Sequence, residues 1–191
     1  MRKLIILLLF PFALFGQDVQ INTAGAGDVN INVAGAGNLQ LYRPVQFTFT
    51  ADGGDMDFGG KLSTLSNIAV VINFGDGTSE RVEGTDIQTD HTYSSAGDYI
   101  IWIDNAINLT KLDFGYYGNQ NATQYNLSGD IIVVQILTNL THLYLNSTSV
   151  SGDITVVQNL TNLTHLYLNS TSVSGDIEAV QNLTNLIYLR L

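Results

Sequence analysis

The 191-residue sequence has no cysteine, two prolines and one tryptophan, and only 13% of its residues are charged. Without cysteine there can be no disulfide staple, no thiolate metal knuckle and no thiol nucleophile. Charged side chains are about half as frequent as in an ordinary globular chain. Bases are scarcest: 7 Lys and Arg stand against 17 Asp and Glu, a formal charge of −10. Arg2 and Lys3 fall in the leader described below, which leaves 7 − 2 = 5 bases against 17 acids, or −12. Those five, Arg43, Lys61, Arg81, Lys111 and Arg190, are scattered and make no basic stretch. Nucleic acid and anionic membrane surfaces are therefore poor partners. What is plentiful is Asn, Thr, Ser and Gly, a mix that suits strands and turns better than helices.

Residues 1–16, MRKLIILLLFPFALFG, open with two bases, continue as an apolar run from Leu4 to Phe15 and end on small Gly16. That order is the pattern of a signal peptide. A spanning helix needs about 20 apolar residues, and no later run approaches that length. The sequence thus implies an exported protein, secreted or held at the cell surface, with no membrane insertion once the leader is cleaved.

Residues 17–41 form an N-terminal strand or linker segment. It contains a duplication, Val19–Gly27 and Val29–Gly37, each half alternating apolar and polar residues before breaking at Ala-Gly-Ala-Gly. Strand, turn, strand, turn is the reading. The glycines are followed by no helix signal and no lysine, so a phosphate-binding loop is not implied. Residues 42–105 then read as short strands. Val45–Thr50 alternates, Ile68–Ile72 is a continuous apolar run suited to a strand buried on both faces, and Asp98–Ile103 is a third strand. Phe74-Gly75-Asp76-Gly77-Thr78 between them is a tight-turn signal. A small β-sandwich follows from this spacing.

The motifs Asn73-Phe74-Gly75-Asp76-Gly77-Thr78, His91-Thr92-Tyr93 and Ala96-Gly97-Asp98-Tyr99 resemble the PKD (polycystic kidney disease) repeat, with Ile72 and Asn73 standing where that family has Trp-Asp. The resemblance covers about sixty residues and implies a spacer or adhesion module without catalytic function. His91 and Asp76 are then structural residues of strand and turn.

Residues 106–191 are repetitive. Leu140, Leu163 and Leu186 are 23 apart, as are Leu143, Leu166 and Leu189, and Leu145, Leu168 and Leu191. Thr138–Ile154 recurs nearly verbatim as Thr161–Ile177. A divergent copy starts at Leu109 and rejoins the pattern at Leu127-Ser128-Gly129-Asp130-Ile131 after an insertion around Tyr116–Tyr125. An L-x-x-L-x-L core on such a period resembles leucine-rich repeats, about 3.5 of them here, each strand burying its leucines only by stacking on the next. The Ser-Gly-Asp-Ile tail resembles the plant-type subclass, with Thr148 and Thr171 in place of the ladder asparagine. The fold class is therefore mainly β: a PKD-like β-sandwich followed by a short solenoid. The pairing resembles secreted surface proteins of Bacteroidetes-type bacteria. The sequence breaks off within a repeat strand at Leu191, which reads as a truncated frame or fragment.

Period-two alternation assigns a face to each repeat strand. Lys111, His142, His165 and Tyr188 fall in one row, with Asp113, Tyr144, Tyr167 and Arg190 beside it and Asn146 and Asn169 following. His142, Tyr144, Asn146, His165, Tyr167, Asn169, Tyr188 and Arg190 are the expected ligand-binding residues of a concave surface. Aromatic and amide groups of this kind suit an extracellular protein or glycan. The two histidines lack a third ligand, so no metal site is implied. Asp130, Asp153 and Asp176 each precede a short apolar segment and are expected to cap its N–H groups. No cofactor is implied, with weak calcium binding at Asp52, Asp55 and Asp57 left open. No catalytic constellation is present. The leading expectation is a non-enzymatic adhesion or ligand-binding protein whose sandwich is a stalk for the repeats. The alternative is an ancillary region of a larger secreted polysaccharide-degrading enzyme.

Overall fold

A computed structural model describes residues 19–22, 30–33, 45–53, 58–115 and 126–191. The leader, the Ala-Gly-Ala-Gly segments, Asp55, Asp57 and the Tyr116–Tyr125 insertion lie outside the described residues. The chain divides into two compact units, Met1–Tyr42 and Arg43–Leu191. In the first, β1 (Val19–Asn22) and β2 (Asn30–Val33) pair antiparallel with Val19 opposite Val33, as the duplicated alternation implies.

The second unit begins with β3 (Val45–Ala51), β4 (Phe58–Thr64), β5 (Val70–Asn73), β6 (Ser79–Val82), β7 (Ile87–His91) and β8 (Gly97–Asp104). The repeats follow as β9 (Leu109–Asp113), β10 (Leu127–Asp130), β11 (His142–Tyr144), β12 (Ser149–Asp153), β13 (His165–Tyr167), β14 (Ser172–Ser174) and β15 (Tyr188–Arg190). They make two sheets, ordered β14-β12-β10-β3-β8-β5-β6 and β15-β13-β11-β9-β4-β7. The architecture is a β-sandwich continued by a short leucine-rich solenoid.

Alternation builds the sandwich. Val45, Phe47, Phe49 and Ala51 of β3 face inward. Phe49 meets Phe58 of the other sheet edge-on with centroids 5.5 Å apart, and Phe114 meets Phe58 at 5.1 Å. The expected apolar strand from Ile68 starts later, at Val70, and alternates: Val70 and Ile72 are buried, Val71 is half-buried and Ile68 is 38% exposed. It is one strand in from an edge, and only one of its sides meets the aromatic core. The Phe74–Thr78 turn closes the β5–β6 hairpin through Phe74 N–H to Thr78 O at 3.1 Å. His91 stacks on Phe74 with centroids 4.2 Å apart and bonds Asp76 at 2.8 Å, while the buried Tyr93 hydroxyl donates to Phe74 O. The two motifs thus meet in one structural corner.

The expected boundary near residue 105 is no break in either sheet. β4 pairs antiparallel with β9, Leu62 opposite Leu112, and β3 with β10, Leu127 opposite Phe49. Beyond these junctions the repeat strands run parallel, and one hydrophobic core extends from Val45 to Leu183. The sandwich is a closed end for the solenoid, not a stalk beside it.

In the two full repeats the leucine columns are sealed, with Leu140, Leu143, Leu163 and Leu166 fully buried, while Leu189 and Leu191 of the last strand are exposed. Asp130, Asp153 and Asp176 cap the 3-10 turns Ile131–Ile136, Ile154–Asn159 and Ile177–Val180, accepting from Ile132, Thr155 and Glu178 N–H. Gly152 has a left-handed φ of 115°, and a Cβ there would lie 2.5 Å from Asp130 Oδ1. The repeat's glycine is therefore required both by its own backbone and by the aspartate of the repeat before. Thr148 and Thr171 bond Leu145 O and Leu168 O within their own repeats at 2.7 and 2.6 Å. Side-chain bonds between repeats include Asn139 to Ile107 O, Asn162 to Thr138 O and Asn185 to Thr161 O.

Replacing Gly152 with Ala combines left-handed strain with overpacking and should cost about 2–4 kcal/mol. Because the core is continuous, Trp102 fluorescence and far-UV circular dichroism should shift to the same lower urea midpoint. Two separated transitions would show that sandwich and repeats unfold independently.

Candidate recognition face

The outward positions of the six-stranded sheet form two rows. Parallel pairing puts Lys111 beside His142, His142 beside His165 and His165 beside Tyr188. The second row is Asp113, Tyr144, Tyr167 and Arg190. This is the register that the 23-residue spacing implies. The rings touch along the rows: His142 stacks on His165 at 4.3 Å, His165 on Tyr188 at 4.6 Å, and Tyr144 lies 4.8 Å from Tyr167. Arg190 sits over Tyr167 at 4.7 Å and Lys111 over Tyr144 at 5.5 Å, cation–π contacts at both ends of the tyrosine pair.

Asn146 and Asn169 do not extend this face. Asn146 is 1% exposed, and the Oδ1 atoms of both are buried without a donor among the described residues. β11 and β13 end at Tyr144 and Tyr167, and Ser147 and Ser170 turn with φ of 58°. Alternation stops with the strand, so the asparagines turn inward.

The rows continue where the sequence does not point, onto the sandwich. Antiparallel pairing places Ser63 opposite Lys111 and Lys61 opposite Asp113, and β7 adds Gln88 opposite Lys61. The Lys111 ammonium donates to Asp86 at 2.7 Å and lies 3.6 Å from Asp113. Three of the five scattered bases, Lys61, Lys111 and Arg190, thus share one face, among carboxylates. Lys61 and Lys111 are 50 residues apart in the chain, and no local pattern announces their meeting.

Electrostatics follow from partial burial. The Lys111 bond holds the Asp86 carboxyl below its usual range. Burial pushes Asp113 up to about 6 against the pull of Lys111 and Lys61. Burial, with Tyr167 and the carboxylates nearby, raises the Tyr144 phenol to about 12. His142 is held below the ordinary imidazole value by burial, then by His165 and Lys111, with Asp86 pulling the other way. His165 is lowered by burial and Lys111. Both histidines are therefore neutral at pH 7. Among the described residues no group of three or more His, Asp or Glu could hold a metal ion, and no helix is long and apolar enough to cross a membrane.

No family model and no curated protein matches the sequence. Among solved structures it is similar to an internalin from Listeria monocytogenes, 44% identical over 32% of this chain and 18% of that one, with a TM-score of 0.30. The chain spans less than a fifth of that neighbour's length.

Asp113 gives a pH test of the face. Its folded-state value lies above its ordinary one, so its contribution is full below about pH 4 and is lost as pH rises to about 6. A shift of about 2 units corresponds to about 3 kcal/mol. Asp113→Asn should flatten the decline in unfolding free energy across that window, measured by urea titration at pH 4, 5, 6 and 7. An unchanged slope would place the titration elsewhere.

Proposed function

We propose that this is an exported, non-enzymatic surface protein that binds an extracellular protein through the outward rows of the six-stranded sheet. The observation that carries the reading is the in-register pair of aromatic rows on β11, β13 and β15, bounded by Lys111–Asp86 at one end and Arg190 at the other. Tyrosine supplies flat apolar area at low entropic cost together with a hydroxyl, and mixed charges at the rim steer a complementary surface. Six strands at about 4.8 Å make a strip about 24 Å long. That length suits a protein surface better than one sugar ring. The leader supports export. The resemblance of the Phe74–Thr78 and His91–Tyr93 motifs to PKD modules, paired with leucine-rich repeats, supports a surface protein of the kind found in Bacteroidetes-type bacteria. The sandwich in this reading holds the first repeat rigid and contributes Lys61, Asp86 and Gln88 to the contact.

An array of extracellular proteins and glycans, probed with the chain from Gln17 onward, tests this. A protein ligand should be retained, and Tyr144→Ala with Tyr167→Ala should weaken it at least tenfold, about 1.4 kcal/mol or more. Tyr144→Phe with Tyr167→Phe keeps the rings and should keep most of the affinity. Binding that survives the double alanine variant would move the site off this face, and glycan-only binding would replace the partner class.

A further inference from the structure

The repeats set their two histidines identically. Thr141 Oγ1 donates to Thr110 O at 2.9 Å and lies 2.8 Å from His142 Nδ1. Thr164 Oγ1 donates to Thr141 O at 2.9 Å and lies 2.8 Å from His165 Nδ1. A hydroxyl has one proton, and with that proton on the carbonyl each Nδ1 is the donor to its threonine. The neutral ring then carries its lone pair on Nε2, and neither Nε2 has a hydrogen-bond partner among the described residues. With the rings 4.3 Å apart and 13° from parallel, the two Nε2 acceptors sit side by side. Lone pairs that run parallel do not converge on one metal ion, which needs Zn–N distances of about 2.0–2.1 Å. They suit two donor groups of a ligand.

We propose that His142 and His165 form a twin-acceptor subsite that takes a protein partner's N–H or O–H donors and releases them in acid. This rests on the recognition face proposed above. Nδ1 is already protonated, so acid adds its proton at Nε2 of each ring and turns each acceptor into a donor. It also sets two imidazolium rings in contact, next to Lys111. The charged and titratable groups facing the pair are Lys111, Asp86, Lys61 and Asp113 from the sandwich side, with Tyr144, Tyr167, Tyr188 and Arg190 from the repeats. Asp86 is the carboxylate that could offset His142, and Lys111 already occupies it at 2.7 Å. His165 has no carboxylate in its row. Acid therefore builds like charge along the row.

The free protein gives the first test, with the proton as probe. Long-range ¹H–¹⁵N spectra at pH 8 should show both rings as the Nδ1–H tautomer, and acidification should move the Tyr144 and Tyr188 ring resonances with them. An Nε2–H tautomer in either ring overturns the inference. The second test takes the protein retained on the array and compares pH 7.5 with pH 5.5. Its dissociation constant should rise at least twofold in acid. His142→Phe with His165→Phe keeps the stack, and should weaken binding at pH 7.5 and remove most of the pH dependence, leaving the part that Asp113 contributes. A ligand lost with the tyrosines but held equally at both pH values overturns the twin-acceptor subsite alone. A ligand indifferent to the tyrosines overturns the recognition face and this subsite with it.

Discussion

Backbone pairing at two strand edges is the constraint on which the rest depends. A leucine-rich repeat buries its leucines only against a neighbour, so the first repeat of any solenoid presents an unpaired edge and an open core. Here β4 and β3 close both at once, one in each sheet, by antiparallel pairing with β9 and β10. Phe114, at the end of the first repeat strand, completes the same step in the core by packing on Phe58 and Phe47. The sandwich and the repeats share two sheets and one interior, and the face of the second sheet inherits side chains from both.

Coupling between successive repeats is carried by small polar groups around the leucine columns. Asn162 and Asn185 reach back to the carbonyls of Thr138 and Thr161, and Thr141 and Thr164 hand one hydrogen bond each to the strand before. The aspartate caps press on the next repeat's glycine. These residues lie within the Thr-Asn-Leu-Thr and Ser-Gly-Asp segments, which recur with the leucines, Ile187 replacing the second threonine in the last copy.

Periodicity made the repeat strands, their register and the His and Tyr rows legible, because a fixed 23-residue step on parallel strands leaves one register that stacks the leucines in columns. The Asp130, Asp153 and Asp176 caps were legible for a local reason, an acceptor placed directly before a helical turn. The Gly75-Asp76-Gly77 hairpin was legible through turn chemistry. Asn146 was misread because alternation was carried past the end of β11, where Ser147 takes a left-handed turn. The contribution of Lys61, Asp86 and Gln88 could not be read. Antiparallel pairing of β4 with β9 joins segments about fifty residues apart, and neither strand's pattern names its partner.

That unread junction gives two nearly identical repeats different chemistry. His142 and His165 share strand position and each has the preceding threonine as its partner. The row, however, begins at the sandwich and ends at a tyrosine. His142 lies between Lys111 and the His165 ring, with Asp86 in range, while His165 lies between the His142 ring and that of Tyr188. Tyr144 likewise lies beside Asp113 and under Lys111, whereas Tyr167 lies under Arg190. A repeat copied along a solenoid presents the same side chains at each step, and on a uniform array they would bind alike. Closing one end with a sandwich that carries charge breaks the equivalence. In the proposed binding mode, Lys111 and Asp86 at one end and Arg190 at the other set the position of a ligand along the strip, with the aromatic rows supplying contact area between them.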